Sequence, residues 1–459
     1  MPDDDSGAPK RMSADWLKLL STARIGAPED QAPARSPFQR DYDRVLFSGA
    51  FRRLADKTQV FPLPYDDHVH SRLTHSLEVA SIGRSLGTLV GRRVLEREKA
   101  LAATLDARDF GDCVAAACLA HDLGNPPFGH VGEDAIKEFF DVHRPLWGQL
   151  TPRQQADLLQ FEGNAQTLRI VTRLERPSVG GGLQLTNATL GALVKYPCTS
   201  IVAHKKAPEK GAKKPGLFDS EVETWAAIAA GLGLPNPSAD QWQRHPLAFL
   251  TEAADDIAYL LLDWEDGRRL KQVPEPLFLE MLAPFCKESP RCPDLRPEAG
   301  DYTSRMDRAD QLRAIAVNTL VHDAADAFAA VSDGILAGTY VDELKATMKH
   351  REAMDALQGQ CIRRCYQARD VLKMELAGAE AIQGLLTIFV NGILEPRSLR
   401  GSHLAKLYPN QFPRPGAGVT VSAYDQLQRL TDHISGMTDH YAVRLYRELR
   451  GMRYPGGRD

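Results

Sequence analysis

The dipeptide His121-Asp122 ends an apolar run, Cys113 to Ala120, and is followed by LGNPPFGHVGE over residues 123–133. An ionised carboxylate at the buried end of a helix is costly unless something pairs with it. A divalent cation is an economical partner, since imidazole nitrogen and carboxylate oxygen are both ordinary ligands for it. The plain alternative is a His and an Asp that cap a helix, and two residues alone leave both readings open. Three other stretches carry matching chemistry. His75 sits in RLTHSLEVA, Asp255, Tyr259 and Asp263 recur every four residues in EAADDIAYLLLD, and His130 precedes Glu133 by three.

These side chains need helices to aim them. Cys113 to Ala120 reads as a buried helix that Asp109 or Asp112 can cap and that Gly124 and Pro126-Pro127 stop. His75, Val79, Ile82 and Leu86 fall at three- and four-residue steps, which puts His75 on an inward stripe. His121 shares such a stripe with Val114, Ala117 and Cys118. A polar stripe of Asp255, Tyr259 and Asp263 in an otherwise apolar helix is poor packing but good site building. His130 and Glu133 lie one turn apart at the start of the next helix, so their side chains can meet as a carboxylate–imidazole pair suited to acid–base work. Thr186 to Tyr196 reads as a helix with Lys195 at its C-terminal end, where cation and helix dipole agree. The periodicity is helical nearly throughout from His70 to Leu270, and no alternating strand runs occur, so the fold class is all-α.

The rest of the chain sets bounds. Its 459 residues, 43% hydrophobic and 25% charged, suit a soluble globular protein with an ample core. A net charge of −4 gives no global pull toward nucleic acid or membrane. The seven cysteines are odd in number and scattered, and Cys361 and Cys365 read as buried thiols, which fits a reducing cytoplasm. No apolar run approaches the ~20 residues of a membrane span, and no signal-peptide core opens the chain. The expected location is therefore cytoplasmic, with no membrane partner. Residues 1–35 should be loosely ordered, with one short helix around Trp16 to Leu20. A core is expected over 36–272 and a helical C-terminal extension packed on it over 273–459. Val273 to Thr303 and Tyr408 to Gly418, rich in proline, read as irregular, and His204 to Gly216 reads as a solvated lysine-rich loop.

Five blocks, RLTHSLEV, HDLGNPPFGHVGE, FEGNAQTLR, LVKYP and EAADDIAY, stand in this order between Ser36 and Asp263. Together they resemble the deoxyguanosinetriphosphate triphosphohydrolase branch of the HD-domain metal-dependent phosphohydrolases. The resemblance implies an HD-domain helical core whose metal ligands are His75, His121, Asp122 and Asp255. Asp256 could compete, but Asp255 shares its stripe with Tyr259 and is also the residue that the resemblance selects. Two imidazoles and two carboxylates suit Mn²⁺ or Mg²⁺, with Fe²⁺ also compatible, better than a closed zinc site. The resemblance further implies that His130 and Glu133 are catalytic and that Gln59, Tyr259 and Asp263 hold the sugar with its 3′-hydroxyl. Lys195 becomes a phosphate contact, and Arg72 is placed for bidentate contact with phosphate oxygens.

The implied reaction is attack of water on the α-phosphorus of a dNTP, dGTP first, releasing deoxynucleoside and intact triphosphate. The alternatives are a broad-specificity dNTP triphosphohydrolase, another HD-domain nucleotide phosphohydrolase, or a nucleotide-binding regulator. The GNPPFGHVGE block argues against a different HD hydrolase, and the complete ligand set with His130 and Glu133 argues against a regulator. Relatives of this kind form homo-oligomers, and some bind single-stranded nucleic acid, which the loop at 204–216 could serve as a minor role.

Overall fold

Helices and short connections account for the described residues of this computed structural model, which are 16–26, 35–61, 69–176, 181–204, 206–207, 209–296, 302–395, 397–407 and 422–452. Among them strand pairing is limited to isolated bridges such as Thr58 with Ser71, so the chain is all-α. The helices that build or brace the cleft are α1 (Pro37–Leu46), α2 (Arg72–Arg97), α3 (Ala107–Ala120), α4 (His130–Val142), α5 (Gly163–Arg169), α6 (Asn187–Leu193) and α7 (Pro246–Arg269). The C-terminal half supplies α8 (Glu275–Cys286), α9 (Tyr302–Ala337), α10 (Arg351–Cys361), α11 (Arg369–Leu394), α12 (Ala423–Ser435) and α13 (Asp439–Leu449).

The α2–α3 pair is the centre. Gly83, Gly87 and Gly91 form a bare stripe on α2, and a Cβ on them would meet Cys118 Sγ at 2.5 Å, Phe110 O at 2.8 Å and Ala107 O at 2.9 Å. The helices therefore run antiparallel in close contact, and the start of α2 lies against the end of α3. All residues from Phe110 to Ala120 are buried. The start of α3 differs from the sequence expectation. Asp106, not Asp109 or Asp112, is the cap, and Asp109 returns the bond by accepting the Asp106 N–H at 2.9 Å. Asp112 lies inside the helix and accepts from Gln39 Nε2 at 3.0 Å. The helix ends at His121, before Gly124 is reached.

Apolar side chains gather in two main clusters that do not follow chain order. One joins Trp16, α2, α3, α7, α9 and α10. The other joins Ile136, Phe139 and Phe140 of α4 to α11, α12 and α13. The second cluster fixes the helix that begins with His130 against the C-terminal helices.

Two expectations need correction. Val273 to Thr303 is not wholly irregular, because α8 spans Glu275–Cys286 with Pro276 in its first turn, where no N–H is needed, and Pro284 near its end. Met306–Ala337 and Arg369–Leu394 are long and apolar enough to cross a membrane by length and composition, although no such run was expected. Of their most apolar windows, 39% and 50% are buried, the first against α2, α7 and α8 and the second against α4, α12 and α13. That packing accounts for part of their apolar surface, and Leu372, Leu376 and Leu394 of α11 stay exposed. The expected helix near Trp16 is present over 16–19, with Trp16 packed on Phe110 at 5.1 Å between centroids. Most of the expected loose N-terminal segment and all of Tyr408 to Gly418 lie outside the described residues.

Candidate active site

Because α2 and α3 are antiparallel, His75 and His121 meet at one end of a cleft. Across it, α7 presents Asp255. His75 Nε2 lies 3.1 Å from Asp255 Oδ1, and His121 Nε2 lies 3.5 Å from the same oxygen. The ligand atoms that these three residues offer lie within 4.8 Å of one another. Asp122 stands at the rim of the cluster. Its Oδ2 accepts from Arg72 Nη1 at 2.6 Å, and its Oδ1 accepts from Asn125 Nδ2 at 2.6 Å while lying 3.4 Å from His121 Nε2.

The donor set fits a cation. His121 Nδ1 donates to Cys118 O at 2.6 Å, which directs Nε2 at the carboxylates. That Nε2 is buried without a hydrogen-bond partner. Burial disfavours the charged ring, but Asp122 and Asp255 outweigh it and raise the His121 pKa to about 9. Burial likewise opposes the charge on Asp122, yet His121 and Arg72 hold that carboxyl down at about 2. Asp255 is held well below its ordinary value by His121 and His75 despite burial. A proton or a metal ion between ring and carboxylates relieves the same field, and a metal would displace the proton.

The cleft, about 320 Å³, is also lined by Gln59, Lys195, Lys214 and Tyr259. Gln59, Arg72, His130 and Tyr259 also line a second hollow of about 210 Å³, together with Val60, Phe128, Val131 and Tyr366. Gln59 Oε1 and Arg72 Nε are buried without partners, so each has bonding capacity to spare. Lys195 lies beyond α6, which ends at Leu193, so an ion pair and not the helix terminus fixes it. Its Nζ is 3.2 Å from Glu252 Oε1, and Glu252 Oε2 is held by Arg244 at 2.7 Å. Asp263 lines neither hollow. It is buried and accepts the Tyr366 O–H at 2.7 Å, and the Tyr366 ring in turn packs 5.6 Å from that of Tyr259.

His130 and Glu133 share a turn of α4, but no hydrogen bond or ion pair joins them, which corrects the expected pairing. His130 is exposed at the mouth of the cleft, whereas Glu133 is buried and its Oε1 accepts the Gly163 N–H at 2.8 Å. Gly163 opens α5, and a carboxylate is well placed at a helix N-terminus. Partial desolvation of the His130 ring, then the charges of Lys214 and Arg72, lower its pKa. Burial, then the nearby Glu162 carboxylate, raises that of Glu133. His130 follows a strained turn in which Phe128 has φ +61° and Gly129 has φ +59°. For a bulky residue the first of these costs on the order of 1 kcal/mol.

Among the lining residues with no role assigned from sequence are Asn125, Glu162, Lys214 and Tyr366. Lys214 closes the loop that was read as solvated, yet its Nζ is 2.9 Å from Glu162 Oε1 inside the cleft. Asn125 and Glu162 stand within two of the five blocks, which was the available signal. Tyr366 lies far beyond them and carried none.

The chain matches the HD domain over residues 72–163 and the phosphohydrolase-associated domain over residues 344–448. It is 39% identical to a deoxyguanosinetriphosphate triphosphohydrolase-like protein of Synechocystis sp., over 95% of this chain and 99% of that one. A Pseudomonas aeruginosa protein of the same description is 38% identical, over 96% and 100% of the two chains. A Yersinia pestis deoxyguanosinetriphosphate triphosphohydrolase is 29% identical, over 93% and 96%.

Proposed function

We propose, from the premise that this chain belongs to the HD-domain deoxyguanosinetriphosphate triphosphohydrolase-like family, that its cleft hydrolyses deoxynucleoside triphosphates, dGTP first, to deoxynucleoside and inorganic triphosphate. The chain is a hydrolase, and the substrate and the bond cleaved are the proposal. One observation carries it. His75, His121 and Asp255 meet at one end of a cleft whose walls also hold Arg72, Lys195 and Lys214. A site for a metal ion beside three cations suits a chain of phosphates.

His75, His121, Asp122 and Asp255 would hold a divalent cation, Mn²⁺ or Mg²⁺ before Fe²⁺, which when bound polarises a phosphoryl oxygen and orients water. Arg72 holds Asp122 through Nη1 and keeps Nε for a phosphate oxygen. Lys195 and Lys214 offset the remaining phosphate charge. His130, uncharged between Lys214 and Arg72, can take a proton from the attacking water. The departing 5′-oxygen leaves on the opposite side of the phosphorus and takes its proton from solvent water. Glu133 acts one step back, through its hold on the start of α5. Gln59 Oε1 has an acceptor to spare for the 3′-hydroxyl. The Tyr259 ring, braced by Tyr366 and through it by Asp263, packs under the sugar and leaves little room for a 2′-hydroxyl.

A homo-oligomer and a cytoplasmic location complete the reading. Leu376 and Leu399 are 74% and 75% exposed in the C-terminal helices, which supports the first. The seven cysteines are all free thiols, which supports the second. The test is to incubate the pure protein with each dNTP and Mn²⁺ or Mg²⁺ and resolve the products by chromatography. Deoxynucleoside with triphosphate, fastest from dGTP, is expected. Monophosphate with pyrophosphate, or no turnover of any dNTP, would contradict the proposal.

A further inference from the structure

The carboxylate of Asp439 spans the two walls of the cleft from outside. One oxygen accepts the Phe128 N–H at 3.0 Å, and the other accepts the Thr58 N–H at 2.9 Å. Phe128 belongs to the strained turn that delivers His130, and Thr58 precedes Gln59. Asp439 is the first residue of α13 and is 2% exposed, so these two bonds are made away from water, where they are strong. A buried carboxylate could be solvated by side chains of its own neighbourhood. This one is instead divided between two backbone segments more than 300 residues away.

A second C-terminal element grips the same turn. Gly378 of α11 lies under the Phe128 ring so closely that a Cβ there would stand 2.4 Å from Phe128 Cγ. The turn needs such support, because Phe128 and Gly129 both have positive φ and relaxation of either would swing His130. The facing wall is tied down in parallel. Lys57 Nζ donates to Asn125 O at 2.5 Å and to Ser435 O at 2.8 Å, joining the segment before Gln59 both to the metal-site loop and to the end of α12.

We propose that Asp439 is a positioning residue for the hydrolysis: it holds the Phe128–Gly129 turn against the Thr58–Gln59 segment, and so sets where His130 stands in the cleft. Helices α12 and α13 are then part of the catalytic apparatus without lining the cleft themselves. This rests on the reading of His130 as the proton-transfer group.

The test is a double-mutant cycle in the full-length metal-loaded protein, with dGTP as substrate. Asp439→Asn keeps the shape but opposes an amide N–H₂ to one of the two N–H donors. A displaced catalytic group costs roughly tenfold to a hundredfold, so kcat should fall by about that factor while KM moves by less than about threefold. In a His130→Ala background the same substitution should change kcat by less than about threefold, because residues acting through one another are not additive. Tyr446→Phe, elsewhere on α13, removes a hydrogen bond to Glu380 of α11 and should turn over at the parent rate. Equal losses from Asp439→Asn in both backgrounds, or no loss in either, would overturn the proposal. If Asp439→Asn does not fold, Gly378→Ala, which pushes on the same turn through the Phe128 ring, takes its place with the same two outcomes. A parent protein that hydrolyses no dNTP would instead sink the functional reading on which the cycle depends.

Discussion

His75 Nε2 lies 3.1 Å from Asp255 Oδ1, although 180 residues separate the two in the chain. That contact joins the first turn of α2 to the middle of α7, and His121 closes the triangle from the end of α3. His121→Ala or Asp122→Ala should therefore abolish turnover and lower bound metal, since each removes one of four proposed ligands. Asp256 lies outside the cluster, so Asp256→Asn should be far milder than Asp255→Asn. Metal analysis with steady-state rates checks both, and full activity with normal metal in the His121 or Asp122 variant would contradict the assignment.

Sugar choice follows from the other end of the cleft. On the proposed reading Gln59 and Tyr259 face the 3′ side of the sugar, so ribonucleotides and dideoxynucleotides should both be poor substrates. Loss of one buried hydrogen bond costs about 1–3 kcal/mol, or on the order of tenfold to a hundredfold in kcat/KM. Equal rates on GTP, dGTP and dideoxy-GTP would refute the arrangement.

His130 and Glu133 should separate on mutation because they do not touch. A general acid–base group contributes roughly 10²–10⁴ in rate, so His130→Ala should lose about that much while retaining metal. Glu133→Gln still offers an oxygen to the Gly163 N–H and should be the milder change. Loss of metal from His130→Ala would show that the residue belongs to the coordination shell.

His245 predicts an acid limb in the stability curve. It caps α7, the helix that carries Asp255, with Nδ1 accepting the Leu247 N–H at 3.1 Å and Nε2 donating to Leu19 O at 2.9 Å. Burial depresses its pKa to about 4 from 6.5. Between those values the unfolded chain binds more protons, so this stability is complete above pH 6.5 and is lost as pH falls toward 4. At about 1.4 kcal/mol per pKa unit its full extent is about 3 kcal/mol. His245→Asn keeps a capping oxygen without the titration. Denaturant melts from pH 7 to 4 should show a shallower decline in that variant, and parallel declines would contradict the assignment.

Local pattern carried much of this. The stripe through His75 and the apolar run before His121 were legible because helical spacing alone sets which face is inward, and the all-α class followed from the same signal. What sequence could not supply was the direction of side chains that depend on distant partners. Glu133 has the right spacing to meet His130, but the Gly163 N–H, 30 residues on, claims its oxygen. Lys214 looked like solvated charge until Glu162 was placed beside it. Asp263 fell on the stripe with Tyr259, yet Tyr366, from beyond every recognisable block, separates it from the cleft.

The central claim is that water attacks the α-phosphorus, and heavy-oxygen water tests it most directly. Turnover of dGTP in labelled water, with both products analysed by mass spectrometry, should place one labelled oxygen in the triphosphate and none in deoxyguanosine. Label in the 5′-hydroxyl of deoxyguanosine, or label in monophosphate or pyrophosphate as the main products, would contradict the account.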